Sequence, residues 1–398
     1  MSITLKDVQD AKVRIAPYVR RTDITQMTLP SGGELFIKLE NLQATGAFKV
    51  RGAANCILQL SDEQKRAGVL AASAGNHAQG VARAARELGL HCTIVMPAGA
   101  PLSKIAATEH YGAKVVLFGE TYDDACAHAL ELVERTGATF IHPFNDERVI
   151  AGQGTLGLEV LEDLPSVGQV LVPLGGGGLA AGVALAIKSI DPTVKVYGVE
   201  PATAASMQAS LKAHRIVTLA SAATIADGIA VKTPGELTFQ YCQEYLDGVL
   251  TVDDDDIAKA ILHLLEKSKI VSEGAGAAGV AAVMAGKLPL LPDRATLAIL
   301  SGGNIDVTMV SRIIDKGLIR AGRKAIIDTE LTDKPGQLVR FLSCISSTGA
   351  NIVSVQHNRM RPDMGVGSSA VSVELETRDR QHVFEIKALL EDAGYRLF

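Results

Sequence analysis

The stretch from Gln169 to Ile190, QVLVPLGGGGLAAGVALAIKSI, places four consecutive glycines between two apolar runs. The first run, QVLVPL, is short and bounded by turn residues, which is typical of a buried strand. The second run, LAAGVALAIKSI, is long enough for a helix. A strand that leads through Gly175–Gly178 into a helix predicts a parallel α/β sheet, whose ligands bind at the carboxyl ends of its strands.

Residues 69–141 show the same alternation of short apolar runs and segments with helical spacing. The successive segments are GVLAAS, NHAQGVARAARELG, HCTIVMP, SKIAATEHYG, AKVVLFG, TYDDACAHALELVERTG and ATFIHP. Strands that alternate with helices indicate βαβ units and a parallel sheet covered on both faces. Two such blocks predict an α/β fold with two subdomains that face each other.

The pattern changes after about residue 320, where AGRK (Ala321–Lys324) is a plausible linker. Beyond it, period-two runs and helical runs follow in the order β-α-β-β-α-β, from AIIDTEL to the final YRLF. This is the order of a ferredoxin-like module.

The composition excludes several classes of protein. The chain has 398 residues, a formal net charge of −5, 4% aromatic residues and no Trp, which argues against nucleic-acid binding. The five cysteines form no C-x-x-C pair, so reduced thiols in a cytoplasmic protein are expected rather than disulfides or a zinc ribbon. We also expect no signal peptide and no membrane partner, because the N-terminal segment lacks an apolar core and the apolar runs are too short.

The glycine run at Gly175–Gly178 has two interpretations. Converging backbone N–H groups and a helix N-terminus would form a phosphate site, or the glycines would only permit a tight turn with positive φ. Gly175, Gly177 and Ala180 also satisfy G-x-G-x-x-[GA], and Glu200 ends the next strand, VKVYGVE. That pattern alone would indicate an NAD-dependent dehydrogenase, but it leaves the other glycine-rich turns unexplained.

Three further polar turns follow the same logic. SAGNHAQG (Ser73–Gly80) and SGGNID (Ser301–Asp306) each follow a strand-like run, and ATGAFKVRG carries Lys49 at the start of a predicted helix. The Ser73 turn offers N–H groups for a carboxylate, although Ser73 could simply cap a helix. A lysine, a phosphate cradle and a small-anion pocket together indicate pyridoxal phosphate, because a desolvated lysine forms a Schiff base with an aldehyde and this cofactor acts as an electron sink.

The motifs TGAFKVRGA, ASAGNHAQGVA, HPFNDERVIAGQGT, GGGGLAAG and SGGN resemble those of the threonine ammonia-lyases (threonine dehydratases), in the tryptophan-synthase-β-like group of pyridoxal-phosphate enzymes. The resemblance runs from about residue 5 to 320. It implies two open twisted α/β subdomains of the fold-type II kind. The catalytic domain would span residues 1–320, with a small subdomain of about 50–145 inserted in the larger one. Residues 321–398 resemble an ACT or ACT-like regulatory domain.

The resemblance also implies roles for particular residues. Lys49 would carry the Schiff base and remove the Cα proton, Asn76 would bind the pyridine 3′-oxygen, and Ser301 would face the pyridine nitrogen. The implied cofactor-binding residues are Phe48, Lys49, Asn76, Gly175, Gly176, Gly177, Gly178, Leu179 and Ser301. The implied substrate-binding residues are Ser73, Ala74, Gly75, Asn76 and His77.

The implied reaction converts L-threonine to 2-oxobutanoate and ammonia, with L-serine as a weaker substrate. Dehydration of another β-hydroxy amino acid, such as L-serine or 3-hydroxyaspartate, is the nearest alternative. Related serine racemases carry a second serine where Ala74 stands, so this chain resembles an eliminase. A neutral Ser301 hydroxyl would weaken the electron sink and favour prompt elimination over transamination.

Two regulatory features remain expectations. Racemase-like relatives bind a divalent cation through a glutamate and an aspartate spaced as Glu200 and Ser206 are here, and because Ser206 lacks a carboxylate we expect no such metal. Glu200 would cap a turn or hold a monovalent ion. The turn DKPGQL (Asp333–Leu338) resembles the effector turn of ACT domains and would bind isoleucine or valine in a homodimer or homotetramer, as in isoleucine biosynthesis; alternatively the module only assembles dimers.

Overall fold

The computed structural model describes residues 3–360 and 365–398, and the chain divides into two compact units that meet between Asp306 and Val307. The helices are α1 (Leu5–Ile15), α2 (Lys49–Leu58), α3 (Asp62–Ala67), α4 (Asn76–Glu87), α5 (Leu102–His110), α6 (Tyr122–Thr136), α7 (Glu147–Asp163), α8 (Gly178–Ile190), α9 (Ser206–Ala213), α10 (Glu236–Tyr245), α11 (Asp254–His263), α12 (Gly274–Met284), α13 (Val307–Arg320), α14 (Gln337–Ser347) and α15 (Arg380–Asp392). The strands are β1 (Ile24–Thr28), β2 (Glu34–Leu39), β3 (Val69–Ala72), β4 (Cys92–Met96), β5 (Lys114–Leu117), β6 (Thr139–Phe140), β7 (Val167–Pro173), β8 (Lys195–Pro201), β9 (Gly248–Val252), β10 (Ala295–Leu300), β11 (Lys324–Thr332), β12 (Asn351–Asn358) and β13 (Ser368–Glu376).

The larger sheet of the first unit is mixed rather than purely parallel. Its strand order within the described residues is β1-β2-β10-β7-β8-β9, and all neighbours are parallel except β1 and β2. The hairpin between β1 and β2 closes where Leu29 N–H donates to the Gly33 carbonyl at 2.7 Å. The parallel arrangement predicted from the sequence is therefore wrong at this edge, where a short turn with Gly32 at φ +91° allows direct antiparallel pairing.

The central strands and helices of this sheet are buried on every side. All residues of β7 are buried, as are residues 178–187 of α8 and 274–283 of α12. The last of these helices, GAGAAGVAAVM, contains only small and apolar residues and packs against β10, β7 and β8. Continuous apolar runs rather than alternating ones are what a sheet covered by helices requires.

The smaller sheet of the first unit has the parallel order β5-β4-β3-β6 and follows the alternation predicted for residues 69–141. Successive residues of β3 enter opposite cores: Val69 and Ala71 pack with residues of α4, whereas Leu70 and Ala72 pack with residues of α6. Helices therefore cover both faces of this sheet.

Three helices approach one another closely because glycines line their contacts. A Cβ on Gly52 of α2 would lie 2.8 Å from the Val149 carbonyl oxygen of α7, and a Cβ on Gly182 of α8 would lie 2.4 Å from the Ile150 carbonyl oxygen. On the other side of the first contact, a Cβ on Gly152 would lie 2.6 Å from the Arg51 carbonyl oxygen. Helix α7 thus packs against both α2 and α8, whose first residues belong to the predicted cofactor site.

The second unit contains α13 and an antiparallel sheet with the order β11-β13-β12 among the described residues. Helices α14 and α15 bury Phe341, Ile345, Ile386 and Leu390 with the apolar residues of β11 and β13. The predicted last strand, YRLF, forms a single bridge between Leu397 and Thr329. The sequence placed the boundary after residue 320, whereas α13 groups with the second unit.

Candidate active site

Lys49 is the first residue of α2 and is half-buried. Its Nζ donates to the Pro143 carbonyl oxygen at 2.9 Å and lies 5.2 Å from the centroid of the Phe48 ring. Burial lowers the pKa of Lys49 from 10.5 to about 8, although the negative charge of Glu273 acts in the opposite direction. A lysine with a lowered pKa is a better nucleophile and a better base near neutral pH than an exposed one.

The turn that precedes Lys49 is held against the turn after β10. Phe48 N–H donates to the Ser301 carbonyl at 3.0 Å, and Gly303 N–H donates to the Gly46 carbonyl at 2.9 Å. Ala47 and Gly302 form an isolated bridge between the same two segments. The predicted residues Lys49, Phe48 and Ser301, distant in sequence, are therefore adjacent in the first unit.

Asn76, at the first position of α4, is fixed by hydrogen bonds on both sides of its carboxamide. Its Nδ2 donates to Glu273 Oε1 at 2.7 Å, and its Oδ1 accepts from Asn304 Nδ2 at 2.8 Å. Asn304 Nδ2 also donates to the Thr45 carbonyl at 2.8 Å. This network joins the Asn76 turn, the Ser301 turn and the Lys49 turn.

Glu273 is a site residue that the sequence reasoning missed. It is buried, and its pKa is raised from 4.5 to about 7, first by burial and then by the negative charge of Asp227, while the Asn76 hydrogen bond lowers it. Glu273 immediately precedes the wholly apolar helix α12. An acidic residue at a helix N-terminus is favourable and common, so nothing in the local sequence marks it as a site residue. Only its long-range contact with Asn76 distinguishes it.

The turn from Ser73 to His77 presents its backbone at the start of α4. Ser73 Oγ accepts from Gly75 N–H at 3.2 Å, and a Cβ on Gly75 would meet no atom within 4 Å, so the backbone is accessible there. Ala74 is half-buried and packs against the core of the smaller sheet. Helix α4 approaches the lysine closely, because a Cβ on Gly80 would lie 3.1 Å from the Lys49 carbonyl carbon.

His77 is buried and neutral. Burial and the nearby charge of Lys49 lower its pKa to about 3, although its hydrogen bond to the Ile141 carbonyl opposes that shift. Because the 2.8 Å contact of Nε2 is with a carbonyl oxygen, Nε2 carries the proton and donates. His77 therefore supports the turn as a neutral donor and brings no positive charge to a bound carboxylate.

The glycine loop lies between β7 and α8 and is crowded by three other segments. A Cβ on Gly176 would lie 2.3 Å from the Phe144 ring, and a Cβ on Gly175 would lie 2.8 Å from Ile229 Cα. Gly177 has φ +95°, and Thr238 Oγ1 donates to the Gly176 carbonyl at 2.6 Å. The tight-turn interpretation of the four glycines therefore applies, because positive φ and close approach are required, and the phosphate site at the helix N-terminus stays a prediction. Leu179 follows the loop and is buried in the main core.

Segment 142–145 connects the lysine to the glycine loop. The Pro143 carbonyl accepts from Lys49, and the next residue, Phe144, contacts Gly176. His142 Nδ1 accepts from the N–H groups of Phe144 and Asn145 at 3.2 and 2.8 Å, which fixes this turn.

Glu200 caps a helix. Its carboxylate accepts from the N–H groups of Met207 and Gln208 at 2.9 and 2.8 Å, at the start of α9. Burial raises its pKa to about 7 despite these two hydrogen bonds. This geometry matches the turn-capping interpretation. Among residues 3–360 and 365–398, no cluster of three or more His, Cys, Asp or Glu side chains is placed to hold a metal.

The residues present fit an aldehyde cofactor that carries a phosphate. A lysine with a lowered pKa begins one helix, and a four-glycine loop begins another; both helices pack against α7. Gly176, which contacts Phe144, admits no side chain, so the loop can offer only backbone groups to an anion. Fold and site together define an α/β protein with a lysine of lowered pKa near a glycine loop at a helix N-terminus.

The chain belongs to the family of pyridoxal-phosphate dependent enzymes, whose model matches residues 15–302. Pyridoxal phosphate is therefore its cofactor, and the dinucleotide alternative at Gly175 is not supported. The L-threonine ammonia-lyase of Thermotoga maritima is 50% identical over 398 residues, covering 99% of each chain.

Two solved structures are similar over most of this chain. Maize serine racemase has a TM-score of 0.74 and 37% identity, covering 80% of this chain and 99% of that one. Threonine deaminase isoform 2 of Solanum lycopersicum has a TM-score of 0.73 and 39% identity, covering 78% of this chain and 87% of that one. None of the helices in the described part of the chain combines the length and the apolar character that a membrane span requires.

Proposed function

We propose that this protein is an L-threonine ammonia-lyase that converts L-threonine to 2-oxobutanoate and ammonia. The observation that carries the proposal is Lys49, a lysine with its pKa lowered to about 8, held beside a glycine loop by the Pro143–Phe144 segment. The relative with that activity in its name is 50% identical over the whole length. The bound cofactor supplies an electron sink for the charge that develops at Cα.

The chain's own residues divide the remaining work. Lys49 would hold the cofactor covalently, and its Nζ would take the proton from the substrate Cα. Gly175–Gly178 and the N-terminus of α8 bind the phosphate through backbone N–H groups. Asn76, with its carboxamide oriented by Glu273 and Asn304, donates to the ring oxygen of the cofactor. Ser301, which is buried immediately after β10, would offer a neutral hydroxyl to the pyridine nitrogen.

The Ser73–Gly75 backbone binds the substrate carboxylate. Gly75 supports this role, because it immediately precedes α4 and no atom would meet a Cβ there within 4 Å. Ala74 offers neither a hydroxyl nor a titratable group on its face of the site, so the chain eliminates rather than racemises.

A keto-acid release assay across L-threonine, L-serine and 3-hydroxyaspartate tests the substrate. We expect L-threonine to have the highest kcat/KM and L-serine to give pyruvate more slowly. A preference for L-serine or for 3-hydroxyaspartate would replace the substrate assignment but not the chemistry. Lys49→Ala is the control, and it should lose both turnover and the visible absorption of the lysine-bound cofactor.

We further propose that the C-terminal module is an ACT-like effector domain in a cytoplasmic homo-oligomer, a dimer or a tetramer. The bridge of Leu397 to Thr329 adds a fourth strand position beside β11, as a ferredoxin-like order requires. Its effector turn, Asp333–Leu338, contains Gly336 at φ +87° before α14. The Asp333 carboxylate accepts from Arg359 Nε at 3.0 Å, which ties that turn to the end of β12.

Calorimetric titration of the full-length protein with L-isoleucine and L-valine tests the effector proposal. We expect saturable binding that Gly336→Val weakens, because a β-branched residue is strained at positive φ. Binding of neither amino acid, with an unchanged oligomeric state, would leave the module a dimerisation element.

A further inference from the structure

Gln153, in the middle of α7, is a buried polar side chain with no hydrogen bond to any described residue. Its side chain is fully buried, and neither Nε2 nor Oε1 has a partner among residues 3–360 and 365–398. An unpartnered buried carboxamide destabilises a fold, and such groups are rare unless a bound molecule, water or function accounts for them.

The carboxamide lies between the first turns of two helices. Its Oε1 lies 2.7 Å from the position of a Cβ on Gly178, the first residue of α8. Its Nε2 lies 3.0 Å from the position of a Cβ on Gly52, one turn after Lys49 on α2. Residues three apart share a helix face, so Gln153 faces the side of α2 that carries Lys49.

Glycine at both contact positions makes room for this side chain. A residue with a Cβ at Gly178 or Gly52 would displace the carboxamide, and an apolar residue at position 153 would fill the same space without the cost of an unsatisfied polar group. The arrangement therefore directs a polar side chain at the start of α8, where the free N–H groups of a helix N-terminus favour an anion.

We propose that Gln153 is a side-chain member of the cofactor's phosphate site: a half-turn of its terminal carboxamide, which exchanges Oε1 and Nε2, brings an N–H to the start of α8, where it donates to the phosphate end of pyridoxal phosphate alongside the backbone of Gly175–Gly178. The proposal rests on the proposed phosphate role of the glycine loop and adds a donor that the loop cannot supply. The donor is a cofactor-binding group and takes no part in proton transfer.

Comparing the binding of pyridoxal 5′-phosphate with that of pyridoxal, which lacks the phosphate, shows whether Gln153 contacts the phosphate or only packs in the core. For the wild type and for Gln153→Met, dissociation constants of pyridoxal 5′-phosphate and of pyridoxal are measured on depleted protein, and 31P NMR is recorded on the reconstituted holoenzyme. We expect Gln153→Met to weaken pyridoxal 5′-phosphate binding by about tenfold or more, the worth of a hydrogen bond to a charged group. Pyridoxal binding should stay within about twofold, and the phosphate resonance should shift.

Removing an unsatisfied polar group should also raise the Tm of the cofactor-free protein, so stability and cofactor affinity change in opposite directions. Gln153→Leu repeats the test if the methionine variant does not fold. Equal loss of affinity for both ligands, or unchanged affinity for both, would overturn the proposal.

A second variant, Gly176→Ala, shows whether a negative result rules out only Gln153 or also rules out the phosphate role of the glycine loop. If Gly176→Ala lowers the preference for pyridoxal 5′-phosphate over pyridoxal and Gln153→Met does not, the glycine loop stands as the phosphate site and Gln153 is excluded from it. If neither variant changes that preference, both assignments fail.

Discussion

Replacing Lys49 with methionine should stabilise the cofactor-free protein while abolishing its activity. Burial lowers the pKa of Lys49 from 10.5 to about 8. At 1.36 kcal/mol per pKa unit, the protonated lysine costs the folded state about 3 kcal/mol near neutral pH. Loss of the 2.9 Å hydrogen bond to the Pro143 carbonyl removes about 1 kcal/mol of stabilisation. The expected net gain for Lys49→Met is about 2 kcal/mol in the free energy of unfolding.

The stability difference between the wild type and Lys49→Met should depend on pH. Because the folded pKa lies below the unfolded pKa, the cost is fully present below about pH 8 and disappears as the pH rises toward 10.5. In that window the unfolded chain still binds a proton that the folded chain has released. The free energy of unfolding of the wild type should therefore rise by about 2 kcal/mol relative to that of Lys49→Met between about pH 8 and about pH 9.5.

Urea unfolding followed by circular dichroism measures both quantities, with the two compact units fitted as separate transitions. Both proteins are depleted of cofactor by the same treatment and compared at about pH 7, 8 and 9.5. Lys212→Met, at an exposed position on α9, is the matched control and should show little change at any of these pH values. A destabilised Lys49→Met protein at neutral pH, or a stability gap that does not narrow as the pH rises, would refute the reasoning.

Three further predictions concern other parts of the first unit. Arg51→Met leaves the buried Glu40 carboxylate without its guanidinium partner and leaves Glu159 paired with Lys38 alone, and it should cost about 3–5 kcal/mol in urea unfolding, whereas Arg83→Met, which removes an i,i+4 pair, should cost under about 0.5 kcal/mol. Gly176→Ala should weaken the binding of pyridoxal 5′-phosphate, measured by visible absorption during reconstitution, because the loop has no room for a Cβ; Gly99→Ala, which meets nothing within 4 Å, should reconstitute normally. Ala74→Ser should convert some L-serine to D-serine, which chiral chromatography would detect. If no D-serine forms, the residue at position 74 does not decide between elimination and racemisation.

Local patterns in the sequence were sufficient to predict much of this architecture. The alternation over residues 69–141 appears as β3, α4, β4, α5, β5, α6 and β6, because short apolar runs mark strands buried between helices and a period of 3.6 marks helices with one buried face. The run Gly175–Gly178 marked the loop correctly, since few other turns need both a positive φ and contact with neighbouring segments.

The remaining features depend on residues that are distant in sequence. The β1–β2 hairpin escaped prediction because β1 has only five residues, of which Met27 alone is buried, so it lacks the apolar run of the other strands even though LPSGG (Leu29–Gly33) contains the residues of a turn. Glu273 and Gln153 escaped for another reason: an acid before an apolar helix and a glutamine within one are both unremarkable locally. Their importance comes from contacts with Asn76 and with Gly178, which only the folded chain brings together.

Helix α7 explains how the lysine and the glycine loop keep a fixed separation. Arg51, two residues after Lys49, donates to Glu159 of α7 at 2.6 Å and to Glu40 at 2.8 Å, which anchors the first turn of α2. On the other side of α7, Gly182 brings α8 into backbone contact, so the glycine loop is positioned by the same helix. Helix α7 would then position the residues that bind both ends of the cofactor. Since Gln153 is the polar residue of α7 that faces both first turns, its substitution tests whether this shared helix also contributes a ligand.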